Sequence, residues 1–446
     1  MQNPRFVCKI IAWLIVVPLL APAEESVSTL ISSGRKAFEQ GHYADAERLE
    51  SQALNESEHS TFSDRAQCLN DLGSIYMAEA KYAQAETFFR RALDIWETRP
   101  GYEIHAAVTL GNLGVLLSVN FKYSEAETAD KRSLDLLEKF AGPEDERTAG
   151  ALANLGELYN FEGYFERAEP LFRRAIAIRE KAPDSNPVSL AASLKGTAEV
   201  YLHQGNYEMA SKALEQGIAV VERNLGSDHP QIAPLLGTLA TIEVARQKYK
   251  DARKLLERSI AILEKSVGTE HPDVGVAFSS LGIVAFAQGK YKEAAELHRR
   301  ALEIEIASSG PEHRWVGIQW NNLGRSLLAL RRYEEAERAF ESALRILDSP
   351  NSRQPERLAN ALANLAALYA ATKREKQALA AYGRAIAIGE ASLGSLSPTL
   401  IPLLQQYAAL ARKTQDYASA EKAETRAVGI QVRNALRPSG TPPSLN

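Results

Sequence analysis

Apolar and small residues recur along the chain with the four-residue spacing of a helix face. Ten segments carry a large apolar residue followed four positions later by glycine or alanine, as in Leu152 and Gly156. Residues four apart lie on one stripe of a helix, so each segment predicts an amphipathic helix, called helix A below. The small residue leaves room for a second helix to approach closely. The ten small positions are Gly34, Gly73, Gly114, Gly156, Ala198, Ala240, Gly282, Gly324, Ala366 and Ala408.

A second pattern begins nine residues after each small position. An aromatic residue there precedes an alanine by three positions, as in Tyr291 and Ala294, and from Phe165 onward successive copies are 42 residues apart. Small and aliphatic residues about ten positions later predict a second amphipathic helix, called helix B, which begins at the anchor residue. In one copy Glu375 replaces the aromatic residue. The anchors are Tyr43, Tyr82, Tyr123, Phe165, Tyr207, Tyr249, Tyr291, Tyr333, Glu375 and Tyr417.

Turn and linker residues separate the predicted helices. Glycines such as Gly163 and Gly289 fall in the short turn between helices A and B, where a positive φ angle is often needed. Glycine, proline and histidine cluster between repeats, as at residues 226–230, where they end helix B and restart helix A. We therefore predict an all-α fold, an α-α superhelix or solenoid of about ten stacked helical hairpins over residues 24–436. The polar tail over residues 437–446 is expected to be disordered.

The hairpin between residues 320 and 343 has a recognisable signature. It consists of Trp320-Asn321-Asn322-Leu323-Gly324, followed by Tyr333, Ala336, Phe340 and Ala343. This pattern resembles the tetratricopeptide repeat. The 42-residue period, the Asn-Leu-Gly cores and the Gly-x-x-His-Pro linkers look like the kinesin-light-chain type of that repeat, over residues 26–436.

This resemblance implies a right-handed superhelix whose A helices line a concave groove that holds peptides or partner domains. One departure from the family matters. Kinesin light chains have a coiled-coil segment before their repeats, whereas this chain has an apolar leader there. A motor-cargo role is therefore not expected, and the resemblance is to the repeat module alone.

Residues 1–23 have the three parts of a secretory signal peptide. A basic start with Arg5 and Lys9 precedes an uncharged apolar run over residues 10–21, and small residues form a cleavage site at 21–23. A membrane-spanning helix needs roughly 20 apolar residues, so an uncleaved anchor is the weaker alternative. We expect an exported protein, periplasmic or fully secreted, with no membrane insertion after cleavage.

Composition and charge narrow the class of partner. The chain is 45% hydrophobic and 24% charged, with a formal net charge of −4. This mild, dispersed acidity argues against nucleic acid or an anionic membrane surface as a partner. Cys68 is the one cysteine beyond the leader, so no internal disulfide is expected, and a free cysteine of this kind is usually buried.

A column of polar residues lies two positions before the small residue of helix A, where the family often faces its groove. Asparagine offers a donor and an acceptor, so two pairs of asparagines could bind the backbone of an extended peptide. The alternative is that these amides bond to neighbouring helices and hold the stack. The repeats between the two pairs have Gly196, Thr238 and Ser280 at this position. The four asparagines are Asn112, Asn154, Asn322 and Asn364.

Charged residues occupy the position directly after the small residue in several repeats, and three of them are candidate ligand contacts. Glu157 and Glu199, in adjacent repeats, would favour a basic ligand, and Arg325 would favour an acidic one. The alternative for all three is a solvated helix face. Chaperone-binding relatives clamp a carboxylate with a basic residue four positions before the groove asparagine. No basic residue stands at that position here, which disfavours such a clamp.

The sequence does not indicate a catalytic or metal site. His229, His271 and His313 recur at equivalent loop positions, but stacked hairpins are about 8–10 Å apart, too far for a shared ion. His298 is expected to be a hydrogen-bonded core residue. No nucleophile elbow, phosphate loop or metalloprotease motif is found.

We therefore predict a non-enzymatic protein-protein interaction scaffold without cofactors, which binds a peptide or partner protein in its groove. The alternative is a non-catalytic recognition subunit of an envelope enzyme or assembly complex.

Overall fold

The structure is a computed structural model that describes residues 26–39, 42–57, 61–79, 81–120, 122–182, 186–349 and 355–435. Within these ranges it contains twenty α-helices and no strand, which confirms the predicted fold class. The predicted leader and the predicted disordered tail lie outside the described residues. No described helix combines the length and the apolar character that crossing a bilayer requires.

The helices divide into two compact units, and the division along the chain falls between Arg99 and Pro100. The first unit contains α1 (Val27–Glu39), α2 (Tyr43–Glu56), α3 (Phe62–Ala78) and α4 (Tyr82–Glu97). The second unit contains α5 (Glu103–Val119), α6 (Tyr123–Phe140), α7 (Glu146–Phe161), α8 (Phe165–Lys181), α9 (Pro187–His203), α10 (Tyr207–Leu225), α11 (Ile232–Ala245), α12 (Tyr249–Val267), α13 (Pro272–Ala287), α14 (Tyr291–Ser309), α15 (Arg314–Ala329), α16 (Tyr333–Leu347), α17 (Pro355–Ala371), α18 (Glu375–Leu393), α19 (Leu400–Lys413) and α20 (Tyr417–Ala435).

Odd-numbered helices are the predicted A helices, and even-numbered helices are the predicted B helices. All ten B helices begin at the predicted anchor residue, including α18 at Glu375, where the aromatic side chain is absent. The alanine three residues later is fully buried in every copy, as at Ala168 and Ala294. The alanine therefore keeps the hairpin closed even where the aromatic residue is lost.

The small residue of helix A accepts one side chain from helix B. A β-carbon added to Gly73 would lie 2.7 Å from the ring of Phe89, and one added to Gly324 would lie 2.6 Å from the ring of Phe340. Both rings are fully buried. The close approach inferred from the four-residue pattern is therefore confirmed, because any larger residue at these glycines would collide with the ring.

The turn between helices A and B requires a left-handed backbone conformation. Gly163 and Gly289 have φ angles of 79° and 74°, which confirms the expectation for these glycines. Four equivalent positions without glycine have φ between 59° and 64°. A side chain in this region strains the backbone. These four residues are Gln247, Arg331, Lys373 and Gln415.

Within each unit consecutive hairpins stack, and in the second unit each A helix from α5 to α17 contacts the next A helix. The A helices from α5 to α17 therefore form one continuous face of the second unit. On the other helices, arginines pair with acids of the preceding hairpin. Arg258 donates to Glu222 at 2.5 Å and to the carbonyl of Ser227 at 3.1 Å. Pairs with the same spacing are Arg174–Glu138, Arg384–Asp348 and Arg426–Glu390.

The linker histidines act at helix starts. His271 caps α13 by accepting a hydrogen bond from the backbone N–H of Asp273 at 3.2 Å, and His313 lies 3.1 Å from Glu305. Cys68 is fully buried, as expected. His298 is buried in the core as predicted, but the expectation of a satisfied hydrogen bond is wrong, because its Nδ1 has no partner among the described residues.

Candidate functional site

A cavity of about 800 Å³ opens on the A-helix face of the second unit, centred on α11. Its walls come from the ends of α7 and α9, from α11 and from α13, and part of its floor comes from α12. This is the stretch between the two predicted asparagine pairs. The lining residues are Asn160, Phe161, Glu162, Gly163, Phe165, Glu199, Leu202, His203, Ala233, Pro234, Gly237, Thr238, Thr241, Leu256, Ser259, Leu263, Asp273, Val276, Ala277 and Ser280.

Small residues on α11 explain why the cavity exists. A β-carbon added at Gly237 would meet no other atom within 4 Å, so the helix surface there is open. Ala233 and Thr238 are also short. Because α11 has no bulky side chain on this face, Leu256 and Leu263 of the helix behind it reach the floor. The result is an apolar floor.

Large apolar side chains at the rim remain exposed. Phe161 is 64% exposed and Val276 is 52% exposed, on opposite sides of α11. Beside Phe161, the ring of Phe165 stacks on the ring of His203, with centroids 4.8 Å apart and planes inclined by 14°. An open, mostly apolar concavity with exposed aromatic surface is typical of a ligand-binding site.

Acidic residues line the α7 and α9 side of the cavity. Glu199 pairs with Lys195 at 2.5 Å and accepts a hydrogen bond from Asn160 Nδ2 at 3.3 Å. Glu157 lies on the neighbouring helix, and burial together with the charge of Glu199 raises its pKa to about 7, against the opposing effect of Lys195. Burial also raises the pKa of Glu162. This side therefore has more carboxyl groups than cations.

The structure brings Glu157 and Glu199 together, as their equivalent positions suggested. Neither side chain is fully exposed, so the alternative of a solvated helix face does not describe this pair. Arg325 is exposed and lies over the ring of Phe286, with its guanidinium carbon 4.8 Å from the ring centroid. It does not line the cavity.

The four predicted asparagines are half-buried and do not line the cavity either. Asn364 donates to Asn321 of the preceding hairpin at 2.9 Å, which is the inter-helix bond of the alternative interpretation. The Asn154 amide packs on α5, 3.3 Å from where a β-carbon on Gly111 would stand. Asn112 also has an interaction partner. Asn154 and Asn322 make no side-chain hydrogen bond to the residues that the structure describes, so peptide contact stays a prediction for them.

The sequence reasoning did not select Asn160, Phe161 or Gly237. A partial signal for the cavity was present, because the groove position is small in α11 and α13, at Thr238 and Ser280, and both residues line the cavity. Asn160 and Phe161 lie at the end of α7, outside the columns that the family resemblance singled out. In the described part of the chain, no group of three or more potential metal ligands comes together.

Comparison with known families identifies the repeat. A tetratricopeptide repeat model matches residues 105–181, 189–265, 231–305 and 273–349, more than half of the chain. Another tetratricopeptide repeat model matches residues 65–99 and 358–398. The chain belongs to the tetratricopeptide repeat family, whose fold is used for protein-protein interaction and is typically a non-catalytic scaffold. No curated protein matches the sequence significantly.

Solved structures share this fold at low sequence identity. A Rap protein complexed with Competence and Sporulation Factor is 14% identical, with a TM-score of 0.56 over 84% of this chain and 99% of that chain. The apo form of RapI is 12% identical, with a TM-score of 0.55 over 92% and 98%. The chain is also similar to a putative kinesin light chain from Podosopora anserina, at 25% identity and a TM-score of 0.40 over 46% and 98%.

Proposed function

We propose that this protein is a scaffold that binds a peptide, or an extended segment of a partner protein, in the groove over α9, α11 and α13. The supporting observation is the open cavity of about 800 Å³ with exposed Phe161 and Val276 at its rim. A segment of a few residues fits a cavity of this size. The side chains of Thr238, Thr241 and Ser280 offer hydroxyl groups to its backbone.

The family supports the same role. Tetratricopeptide repeats serve protein-protein interaction, and a Rap protein of similar fold was solved in complex with Competence and Sporulation Factor. The cavity shifts the proposed contact region from the asparagine pairs to the stretch between them. Asn154 and Asn322 stand at its two sides along the stack and would extend the contact of a longer ligand.

A substitution that fills the cavity tests this proposal. Gly237→Phe would place a ring in the cavity without a core collision, because nothing lies within 4 Å of the new β-carbon. Gly429→Phe in α20 is a matched control, since that helical glycine has equally open surroundings and lies outside the cavity. Circular dichroism would first show that both variants remain folded.

Random hexapeptides displayed on phage would be selected against the purified chain, and their dissociation constants measured by fluorescence anisotropy. We expect peptides that bind the native chain and the Gly429→Phe variant but bind Gly237→Phe at least about tenfold more weakly. Failure to select any peptide, or equal affinity for all three proteins, would contradict the proposal.

We also propose that the protein is exported and that its leader is removed after Ala23. The support is the basic, apolar and small-residue order of residues 1–23. Mass spectrometry of the protein isolated from its source would then give an N terminus at Glu24. A protein that keeps residues 1–23 and fractionates with the cytoplasm would show that the proposal is wrong.

A further inference from the structure

One polar side chain in the wall of the cavity lacks part of its hydrogen bonding. Asn160 is 8% exposed, and its Nδ2 donates to Glu199 Oε2 at 3.3 Å. Since a carboxylate can only accept, this bond fixes which end of the amide faces Glu199. The amide oxygen then has no donor among the described residues. Buried acceptors are nearly always satisfied in folded proteins, so this oxygen is an unmet acceptor in a residue of the cavity wall. The oxygen itself is buried, so a ligand donor reaches it only when the Asn160 side chain shifts towards the cavity.

The charges around Asn160 identify what kind of donor fits. Glu199 and Glu162 line the cavity on this side, and Asp273 lines it on the α13 side. The lining residues include no lysine or arginine. Lys195, which pairs with Glu199, stands beside the cavity and also faces Glu157, so one ammonium group serves two carboxyl groups. An incoming cation would be attracted here, and an incoming carboxylate would be repelled.

Apolar surface lies directly beside this polar corner. Asn160 and the exposed Phe161 are consecutive residues at the end of α7, and Leu202 lines the same wall. A ligand that fills the corner with a charged group therefore places its next side chain against Phe161 and the apolar floor. Arginine suits the corner best, because its planar guanidinium can donate to an amide oxygen and to a carboxylate at the same time.

We infer that the groove selects peptide segments in which a basic residue, preferably arginine, is next to a large apolar residue. The basic group binds at Asn160, Glu199 and Glu162, and the apolar side chain lies over Phe161 and the floor of the cavity. This inference rests on the proposed peptide-binding function and adds the chemistry of its ligand.

The experiment compares matched peptides on matched variants. A hexapeptide from the phage selection that contains arginine would be synthesised with arginine and with citrulline, which keeps the shape and removes the charge. Each would be titrated against the native chain, Glu199→Gln and Glu421→Gln. The last variant removes the same charge from an exposed site on α20, so it controls for net charge.

We expect arginine or lysine beside a large apolar residue to be enriched among the selected peptides. The citrulline peptide should bind the native chain at least about tenfold more weakly than its arginine parent. Glu199→Gln should weaken binding of the arginine peptide to a similar extent and should change the affinity of the citrulline peptide by no more than about twofold. Glu421→Gln should change the affinity of neither peptide.

Other outcomes separate the two proposals. Selected peptides that are neutral or acidic, or that tolerate citrulline while still being blocked by Gly237→Phe, would overturn the ligand chemistry and leave peptide binding in the groove intact. Equal loss of affinity in Glu199→Gln and Glu421→Gln would also overturn it, because the effect would then come from net charge. Absence of any binding peptide would overturn the proposed function itself.

Discussion

The carboxyl group of Asp130 fills the space that Gly114 leaves open on α5. Any β-carbon at Gly114 would overlap Asp130 Oδ1. At the equivalent position of other hairpins, Phe89 or Phe172 packs against a glycine. Asp130 therefore occupies a position where these hairpins have an aromatic side chain. Asp130 is 1% exposed, and neither carboxyl oxygen has a hydrogen-bond partner among the described residues. Burial without a hydrogen-bond partner favours the neutral form of this carboxyl.

Gly114→Ala should destabilise the second unit. The new methyl group would collide with the Asp130 carboxyl, which is held between α5 and α6, so we expect a loss of about 1–3 kcal/mol in the free energy of unfolding. Urea denaturation followed by circular dichroism measures it. Gly237→Ala is the matched control, because its methyl group meets nothing within 4 Å and should stabilise α11 by up to about 1 kcal/mol. Equal effects of the two substitutions would show that the close approach at Gly114 is not the cause.

Asp130 should make the protein less stable as pH rises. Burial raises the pKa of this carboxyl from 3.8 to about 7. Above about pH 4 the unfolded chain releases the proton while the folded chain keeps it, so stability falls until the folded carboxyl also ionises near pH 7. Asp130→Leu should remove this contribution, because leucine has no ionisable group. Leucine also suits the site, since it is the residue at the equivalent positions 214 and 256.

The free energy of unfolding of Asp130→Leu should therefore rise relative to that of the native chain between pH 4 and 7. The rise should be at most about 1.4 kcal/mol per pH unit. Urea midpoints at pH 5, 6, 7 and 8 measure it. Burial and the charge of Asp71 also raise the pKa of Glu50, but Glu50 is present in both proteins and cancels in the difference. Parallel pH profiles for the two proteins would contradict the prediction.

His298 occupies the same position in a later hairpin, against Gly282, and should have the opposite pH dependence. Burial, with a smaller contribution from the charge of Arg325, lowers its pKa from 6.5 to about 4. Below pH 6.5 the His298 side chain is protonated in the unfolded chain but stays neutral in the folded chain. Stability therefore falls as pH falls towards 4. His298→Leu should be more acid-stable than the native chain, with a gain measured between pH 7 and pH 4.5. A gain that does not depend on pH would show a packing effect only.

Asp130 and His298 show where sequence reasoning reached its limit. The anchor and small positions were predictable because each hairpin must bury the same two surfaces, and that requirement repeats every 42 residues. Asp130 and His298 break the apolar pattern at a position whose partner, Gly114 or Gly282, still follows it. The pattern placed His298 in the core, but only the packing shows that no polar partner reaches His298 Nδ1 or the Asp130 carboxyl among the described residues.

The proposed binding groove was harder to predict for the same reason. The ligand-facing surface of a repeat need not repeat, so its residues carry no period. The asparagine columns were chosen from the family resemblance, and Asn364 proved to bond to Asn321. The cavity depends on what is missing, namely bulk at Gly237 and Thr238, and on Asn160 and Phe161 at a helix end. A run of small residues in successive repeats is the sequence signal for such a cavity.

Replacing Arg331 by glycine should stabilise the protein. Arg331 has a φ of 60° in the turn between α15 and α16, where the equivalent residue in another repeat is Gly289 with a φ of 74°. A side chain in the left-handed region costs roughly 1 kcal/mol, and glycine removes that strain, although it also gives the unfolded chain more freedom. We expect a net gain of up to about 1 kcal/mol, measured by urea unfolding. The reciprocal control, Gly289→Ala, introduces the same strain and should lose a similar amount. If Arg331→Gly were neutral while Gly289→Ala was destabilising, contacts of the arginine side chain would have to offset the strain of its backbone.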